Sequence, residues 1–369
     1  MSKWIRAALM LTSVLSLRVS AWGQCMPAAG LTALHPRVIN IQEVACTSDS
    51  SGIQFTPIDA IKIGTYLYMT HHDLARVYFF NLAGTLQSVM ANQDEPNFIT
   101  LGDQPSAYHA IERTNAVRIF YTSKGGGGFY GVAEISSLVP VSMGSTLGPQ
   151  LVSTLSVQGE PDGLAYSPTL DRLTVAVNTK SGAQLYDIIG GTLVPLGPQL
   201  PGEYLDMLSC SVQPSRALYA AGNQTGRCYI FDRATNNWCI FATVPPGVDG
   251  VCSNLLNCLN RQNAFGPGPV FNHNNGDVFT FDPTPSGLGC SSNILPLAHG
   301  PTRGDGVTAP GDGYMYVIQH HSITRFSLDT QGCSTRLEDL AIFVKPGASS
   351  EANLISAILG FDDLGTINK

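Results

Sequence analysis

The sequence predicts an all-β fold, a six-bladed β-propeller with four-stranded antiparallel blades. Three observations carry the prediction. Glycine (38) and proline (23) are plentiful while charged residues make up 13% of the chain, a composition of strands and turns rather than helices. Six hairpins of one type recur. Ahead of each lies a short apolar strand, usually with an acid near its start, and the spacing of these strands is that of a propeller blade, ~40 to 50 residues.

The elements follow in order. Lys3 and Arg6 precede the apolar run Ala7–Leu17, and Val19-Ser20-Ala21 supplies small residues for cleavage, so residues 1–21 read as a secretory signal peptide. No later stretch approaches the ~20 apolar residues of a membrane span, so an exported protein without a membrane segment is expected, extracellular or periplasmic. RVINIQE (37–43) reads as a strand that joins the last blade and closes the ring, hiding an otherwise exposed sheet edge. The hairpins are YLYMTHHDLARVYFF (66–80), RIFYTSKGGGGFYGVAEI (118–135), LTVAVNTKSGAQLYDI (173–188), ALYAAGNQTGRCYIF (217–231), PVFNHNNGDVFTF (269–281) and YMYVIQHHSITRF (314–326). The strands before them are PIDAI with Asp59, SAYHAI with His109 in place of an acid, EPDGLAY with Asp162, YLDML with Asp206, GVDGV with Asp249 and GDGVT with Asp305. From 59 the steps are 50, 53, 44, 43 and 56 residues. The propeller is thus expected over 22–345, and 346–369 form a tail in which SEANLISAIL (350–359) reads as a short helix.

Charge and cysteines narrow the function classes. Loss of Lys3, Arg6 and Arg18 with the signal lowers the net charge from −7 to −10, which repels nucleic acid and anionic membranes. All nine cysteines follow the signal, and none has the spacing of a zinc site, so disulfides are the default in an oxidising compartment. Cys228 with Cys239 and Cys252 with Cys258 are plausible local bridges, and the odd count leaves one thiol over. Neither substrate nor oligomeric state is written in the sequence.

In a propeller the inner strand of each blade lines a central channel, and the hairpin after it returns to the same face. The acids and the hairpin tips should therefore share one channel mouth. The tips are His71-His72, Lys124, Lys180, Asn223-Gln224-Thr225, His273-Asn274-Asn275 and His320-His321. Carboxylates ~6 Å apart repel by roughly 3 kcal/mol per pair at an effective dielectric of ~20. Either water screens them or a hard cation such as Ca2+ neutralises them. The bland alternatives are Asp-Gly turns and solvated tip residues. Asn223-Gln224-Thr225 also satisfies the glycosylation sequon, and Arg303-Gly304-Asp305 the adhesion tripeptide, although the repeat puts Asp305 on an inner strand.

The chain resembles the β-propeller phytases, secreted six-bladed enzymes that hydrolyse inositol phosphates with calcium in the channel mouth. HHDLARVYFFNLAGTLQS is similar to that family's first blade, YTSKGGGG to its basic blade-two turn and VNTKSG to its blade-three turn. The resemblance implies a calcium-dependent phosphoric-ester hydrolase acting on a small anionic ligand. Lys124, Lys180 and His71 or His72 would meet phosphate, and Asp59, Asp162, Asp206, Asp249, Asp305 and Glu160 (of EPDG) would hold Ca2+. The chain departs from the pattern where it has one acid in PIDAIK and none in AAGNQTG. Two other readings stand beside it: a non-catalytic secreted propeller that binds a ligand or protein, and a calcium-dependent lactonase or esterase of the other six-bladed families, whose first-blade Glu-Gly-Pro signature is missing. No G-x-S-x-G elbow occurs, and GGGG at 125–128 lacks the Gly-Lys-Ser/Thr of a P-loop.

Overall fold

The computed structural model describes residues 30–45, 56–64, 66–71, 76–81, 86–91, 108–114, 118–125, 130–136, 139–141, 145–147, 151–167, 170–210, 217–253, 269–282, 293–310 and 313–329. The expected signal peptide and C-terminal tail, and His72, lie outside them. Among the described residues there is no helix, and six four-stranded antiparallel blades form a ring, as the repeat predicts.

The inner strands are Pro57–Ile63, Tyr108–Arg113, Glu160–Ser167, Leu205–Cys210, Val248–Ser253 and Gly304–Thr308, in blades 1 to 6. Each packs on the inner strand of the next blade, and that of blade 6 packs on that of blade 1. Every predicted hairpin supplies the second and third strands of its blade. Those strands are covered on both faces by neighbouring blades, so their sequences are almost continuously apolar. Arg172–Thr179 is buried at six of its eight positions, whereas the outer strand of blade 2, Leu151–Ser156, is largely exposed. Aromatic rings do the packing: Phe241 of blade 4 meets Phe271 and Phe281 of blade 5, edge to face on Phe281 with centroids 4.9 Å apart, while Phe279 stacks on Phe271.

The ring is closed by the N-terminal strand Val38–Ala45, which pairs antiparallel with Ser322–Leu328 as the outermost strand of blade 6. Thr32–Ala33 adds a fifth strand to blade 5. A small hairpin, Val139–Val141 with Ser145–Leu147, interrupts blade 2 before its outer strand.

Each inner strand carries a register shift, a β-bulge near its start, at Pro57/Ala60, Tyr108/Ile111, Pro161/Leu164, Leu205/Leu208, Val248/Gly250 and Gly304/Val307. Bulges re-aim side chains, and here they turn the bulged residue into the channel mouth. Behind them the inner strands approach so closely that a Cβ on Gly250 would lie 2.2 Å from the Asp305 carbonyl oxygen. One on Gly306 would lie 2.4 Å from that of Ile58.

Neither expected local disulfide forms. Cys228 and Cys252 are buried free thiols, and the cross-strand partner of Cys228 is Ala242 while that of Cys239 is Ile230. Cys258 lies outside the described residues. No described helix is long and apolar enough to cross a membrane.

Candidate functional site

The bulges define one ring position per blade, the residue that follows the last paired residue before the shift. These are Ile58, His109, Asp162, Asp206, Asp249 and Asp305. The hairpins of blades 2 to 6 each contribute a cap one residue beyond the partner of that last pair: Lys124, Asn178, Asn223, Asn274 and His320. Acids and tips do meet at one mouth, and the hydrogen bonds follow this scheme.

In blades 2 to 4, His109 sits between two carboxylates, with Nε2 3.1 Å from Asp206 and Nδ1 3.4 Å from Asp162. Lys124 reaches across from blade 2 to pair with Asp162 and donates to the Tyr204 hydroxyl at 2.6 Å. Tyr204 donates in turn to Glu160 on the rim, at 3.1 Å. The Asn178 amide donates to Asp162 at 2.6 Å and to the Leu205 carbonyl at 2.9 Å, tying blade 3 to blade 4. The Asn223 amide nitrogen donates to Asp206 at 2.7 Å and also to Asp249. Arg303 then joins Asp249, at 3.3 Å, to Asp305, at 3.1 Å, and His320 lies 3.3 Å from Asp305. A polar arc therefore runs from blade 2 through blade 6, with a histidine at either end.

The electrostatics explain how four buried acids coexist. Water screening and a bound cation are two ways to offset such repulsion. The structure uses a third, counter-charges from neighbouring blades, Lys124 and Arg303, with two histidines and two amides filling the remaining contacts. Burial raises Asp162 above the usual carboxylate range against the pull of Lys124 and His109. Burial also works against Asp206, but the charge and hydrogen bond of His109, with a hydrogen bond from Asp249, hold it well below that range. Asp249 is pushed well above it by burial and then by Asp206. Of this adjacent pair, Asp206 carries the charge and Asp249 keeps the proton longer. Burial opposes the Lys124 ammonium too, yet Asp162, Asp206 and Glu160 outweigh it and raise its affinity for the proton.

The predicted site residues divide accordingly. Asp162, Asp206, Asp249, Asp305 and Lys124 converge. Asp59 does not occupy the ring position of blade 1, which belongs to the buried Ile58. Its carboxylate instead accepts the Ala60 N–H at 2.8 Å and the Ile111 N–H at 3.0 Å, fastening blade 1 to blade 2. Glu160 is exposed on the rim, and Lys180 is exposed in its turn, two residues beyond the cap Asn178. His71 is buried, both ring nitrogens 3.4 Å from the Thr56 hydroxyl, with its ring tilted against Tyr78. His273 accepts the Asn275 N–H through Nδ1 and lies 3.0 Å from the Pro245 carbonyl through Nε2, a structural role. Tyr204, Asn178 and Arg303 had no place in the site as read from sequence. The signal that could have found Asn178 is its register, because it stands where Lys124, Asn223 and His320 stand in theirs. Asn223 spends its amide on two acids inside the mouth, which argues against a glycan there, and Arg303 and Asp305 face each other rather than a partner protein.

His109, Asp162 and Asp206 could hold a metal ion, since one ligand atom from each lies within 4.8 Å of the others. His109 Nδ1 is buried and accepts no hydrogen bond, which leaves it available as a ligand.

The fold is shared with known enzymes. A gluconolactonase from Xanthomonas campestris is 13% identical over 85% of this chain and 99% of its own, with a TM-score of 0.54. A luciferin-regenerating enzyme is 10% identical over 78% of this chain and 95% of its own, with a TM-score of 0.53. A glucose dehydrogenase is 12% identical over 78% and 99%, with a TM-score of 0.52. At such identities the likeness is one of architecture. No protein-family model and no curated protein matches the sequence.

Proposed function

We propose that the protein is a small-molecule hydrolase that opens an ester or lactone at the channel mouth, with a divalent ion held by His109, Asp162 and Asp206. The observation that carries this reading is that mixed histidine and carboxylate group, buried at the mouth. An imidazole nitrogen with two carboxylates suits a borderline ion such as Zn2+ or Mn2+. Calcium, expected from the acids alone, suits it less, because Ca2+ takes 6 to 8 oxygens and Lys124 already occupies Asp162. When bound, such an ion would supply Lewis-acid polarisation of a carbonyl oxygen. The chain's own groups do the rest. Lys124 and Asn178 hold Asp162 in place, while Tyr204 and Glu160 offer hydrogen bonds to ligand hydroxyls at the rim. The fold shared with a gluconolactonase supports lactones as the first class to try.

Phosphoric-ester hydrolysis, the reading implied by the phytase resemblance, has less support. It needs a rim of cations facing an anionic ligand, whereas Lys124 is turned onto Asp162, His71 is buried and Lys180 stands apart from the acids. A non-catalytic secreted propeller that binds a neutral polar ligand is the second reading. It is favoured by the near-complete matching of acids with Lys124, Arg303, Asn178 and Asn223. Export remains part of both proposals, on the strength of the leader.

Assays with glucono-δ-lactone, p-nitrophenyl acetate and p-nitrophenyl phosphate, each with Zn2+ or Mn2+ and then with chelator, test the choice. Lactone or ester turnover that disappears with chelator is the expected result. Turnover of the phosphate alone would restore the phosphatase reading, and none at all would favour the binding protein. Equilibrium dialysis against Zn2+ checks the ion separately: His109→Ala should abolish binding.

A further inference from the structure

Asp162 already carries a cation. Its Oδ1 takes the Lys124 ammonium and lies 3.4 Å from His109 Nδ1, while its Oδ2 accepts the Asn178 amide at 2.6 Å. Asp206 lies across the same imidazole, 3.1 Å from Nε2, and among charges it acts on Lys124 second only to Asp162. The ammonium is therefore placed against the group that suits a metal ion, with the Lys124 side chain 10% exposed and that of Asp162 wholly buried. An ion ligated by Asp162 stands ~2 Å from a carboxylate oxygen. An ammonium on Oδ1 would then be a like charge about 4 Å away, in a site shielded from water. The two cations compete for one place.

Lys124 has a second berth within reach. Its Nζ donates to the Tyr204 hydroxyl at 2.6 Å and lies 5.2 Å from the centroid of that ring, and Tyr204 donates to Glu160 Oε2 at 3.1 Å. Glu160 is exposed on the rim. One flexible lysine stem is thus strung between an inner carboxylate and an outer one, with a phenol as the step between them. From this geometry we infer that Lys124 is the resident cation of the metal group and is exchanged for the divalent ion. In the metal-free protein its ammonium neutralises Asp162 and Asp206. When the ion is bound, the ammonium rests on Tyr204 and Glu160. The exchange rests on the divalent-ion site proposed above and supplies its regulation. It also reconciles two facts that otherwise conflict, a donor set suited to a metal and an acid already paired with a lysine.

Two measurements on the full-length protein, first stripped with chelator, decide the matter. The first labels amines with acetic anhydride, with and without Zn2+, and reads each lysine by peptide mass spectrometry. Zn2+ should speed acetylation of Lys124 several-fold and leave that of the exposed Lys180 unchanged. Unchanged labelling of Lys124 while equilibrium dialysis shows Zn2+ bound would overturn the exchange and leave the metal reading standing. The second is the Zn2+ affinity of Lys124→Met, which lacks the competing charge and should bind ~10-fold more tightly than the parent or better. Lys124→Gln, which keeps a hydrogen-bond donor for Asp162, replaces it where circular dichroism shows the Met variant unfolded. Binding equal to or weaker than the parent's overturns the exchange. Zn2+ bound by the variant but not by the parent would mean that the ammonium holds the group outright, so the resident cation stands and the metal-dependent hydrolase falls. Binding by neither overturns both.

Discussion

Single residues in the channel set how stability depends on pH. Asp59 and Glu112 both project from inner strands, and each accepts backbone N–H groups from its own strand and from the next blade. Burial nevertheless dominates and pushes each up to about 7. In the unfolded chain both ionise near pH 4, so between about 4 and 7 the native state binds more protons and stability falls as pH rises. The cost is then complete above 7 and absent below 4. Asp59→Asn with Glu112→Gln should raise stability at pH 8 by on the order of 2 kcal/mol per site, discounted for residual exposure, and change little at pH 4. Urea titrations at the two pH values check this, and a gain confined to pH 4 would contradict it. Lys124 works in the opposite sense. Lys124→Met strands Asp162 without its counter-charge and should cost ~3 to 5 kcal/mol in the same assay at pH 7.

At the scale of the strand, the bulge decides which residue enters the site. Gly250 stands in this feature, with the Asp305 carbonyl occupying the space a Cβ would need, and a backbone atom cannot swing aside. Gly250→Ala should therefore destabilise the protein by about 1 to 3 kcal/mol, read as a lower denaturation midpoint, and should loosen the contact between blades 5 and 6. The same feature explains what was legible in advance. Blade number, hairpin limits and the closing strand followed from the recurring hairpin form and a period of 43 to 56 residues, signals that survive an error of one position. The site did not enjoy that tolerance. PIDAI contains an acid, but the bulge presents Ile58 and turns Asp59 toward the backbone of blade 2. VNTKSG displays a lysine, but the cap is the amide of Asn178. Charge is conspicuous in a sequence, whereas pairing register is not, and register chose the residues. The counter-charges were hidden for a related reason: Lys124 and Asp162 belong to different blades, so their pairing exists only after the ring closes.

The whole molecule depends on the pairing of Val38–Ala45 with Ser322–Leu328, which joins the two ends of the described chain in one sheet. Deleting residues through Ala45 should bare the edge of blade 6, lower the melting temperature and promote association, visible as light scattering at temperatures where the parent stays clear. This arrangement also dictates an order of assembly. During synthesis the outermost strand of blade 6 emerges early, just after Thr32–Ala33, and its other three strands emerge last. Some 258 residues, 46 to 303, lie between the two halves of one sheet. The five earlier blades can gather as they appear, yet the throat they surround stays an open crescent until the final hairpin arrives. Asp305 and His320 are carried by that final blade, so the last piece of the wall to be laid completes the polar arc. A nascent chain halted short of blade 6 would hold the lysine side of the mouth without its histidine counterpart.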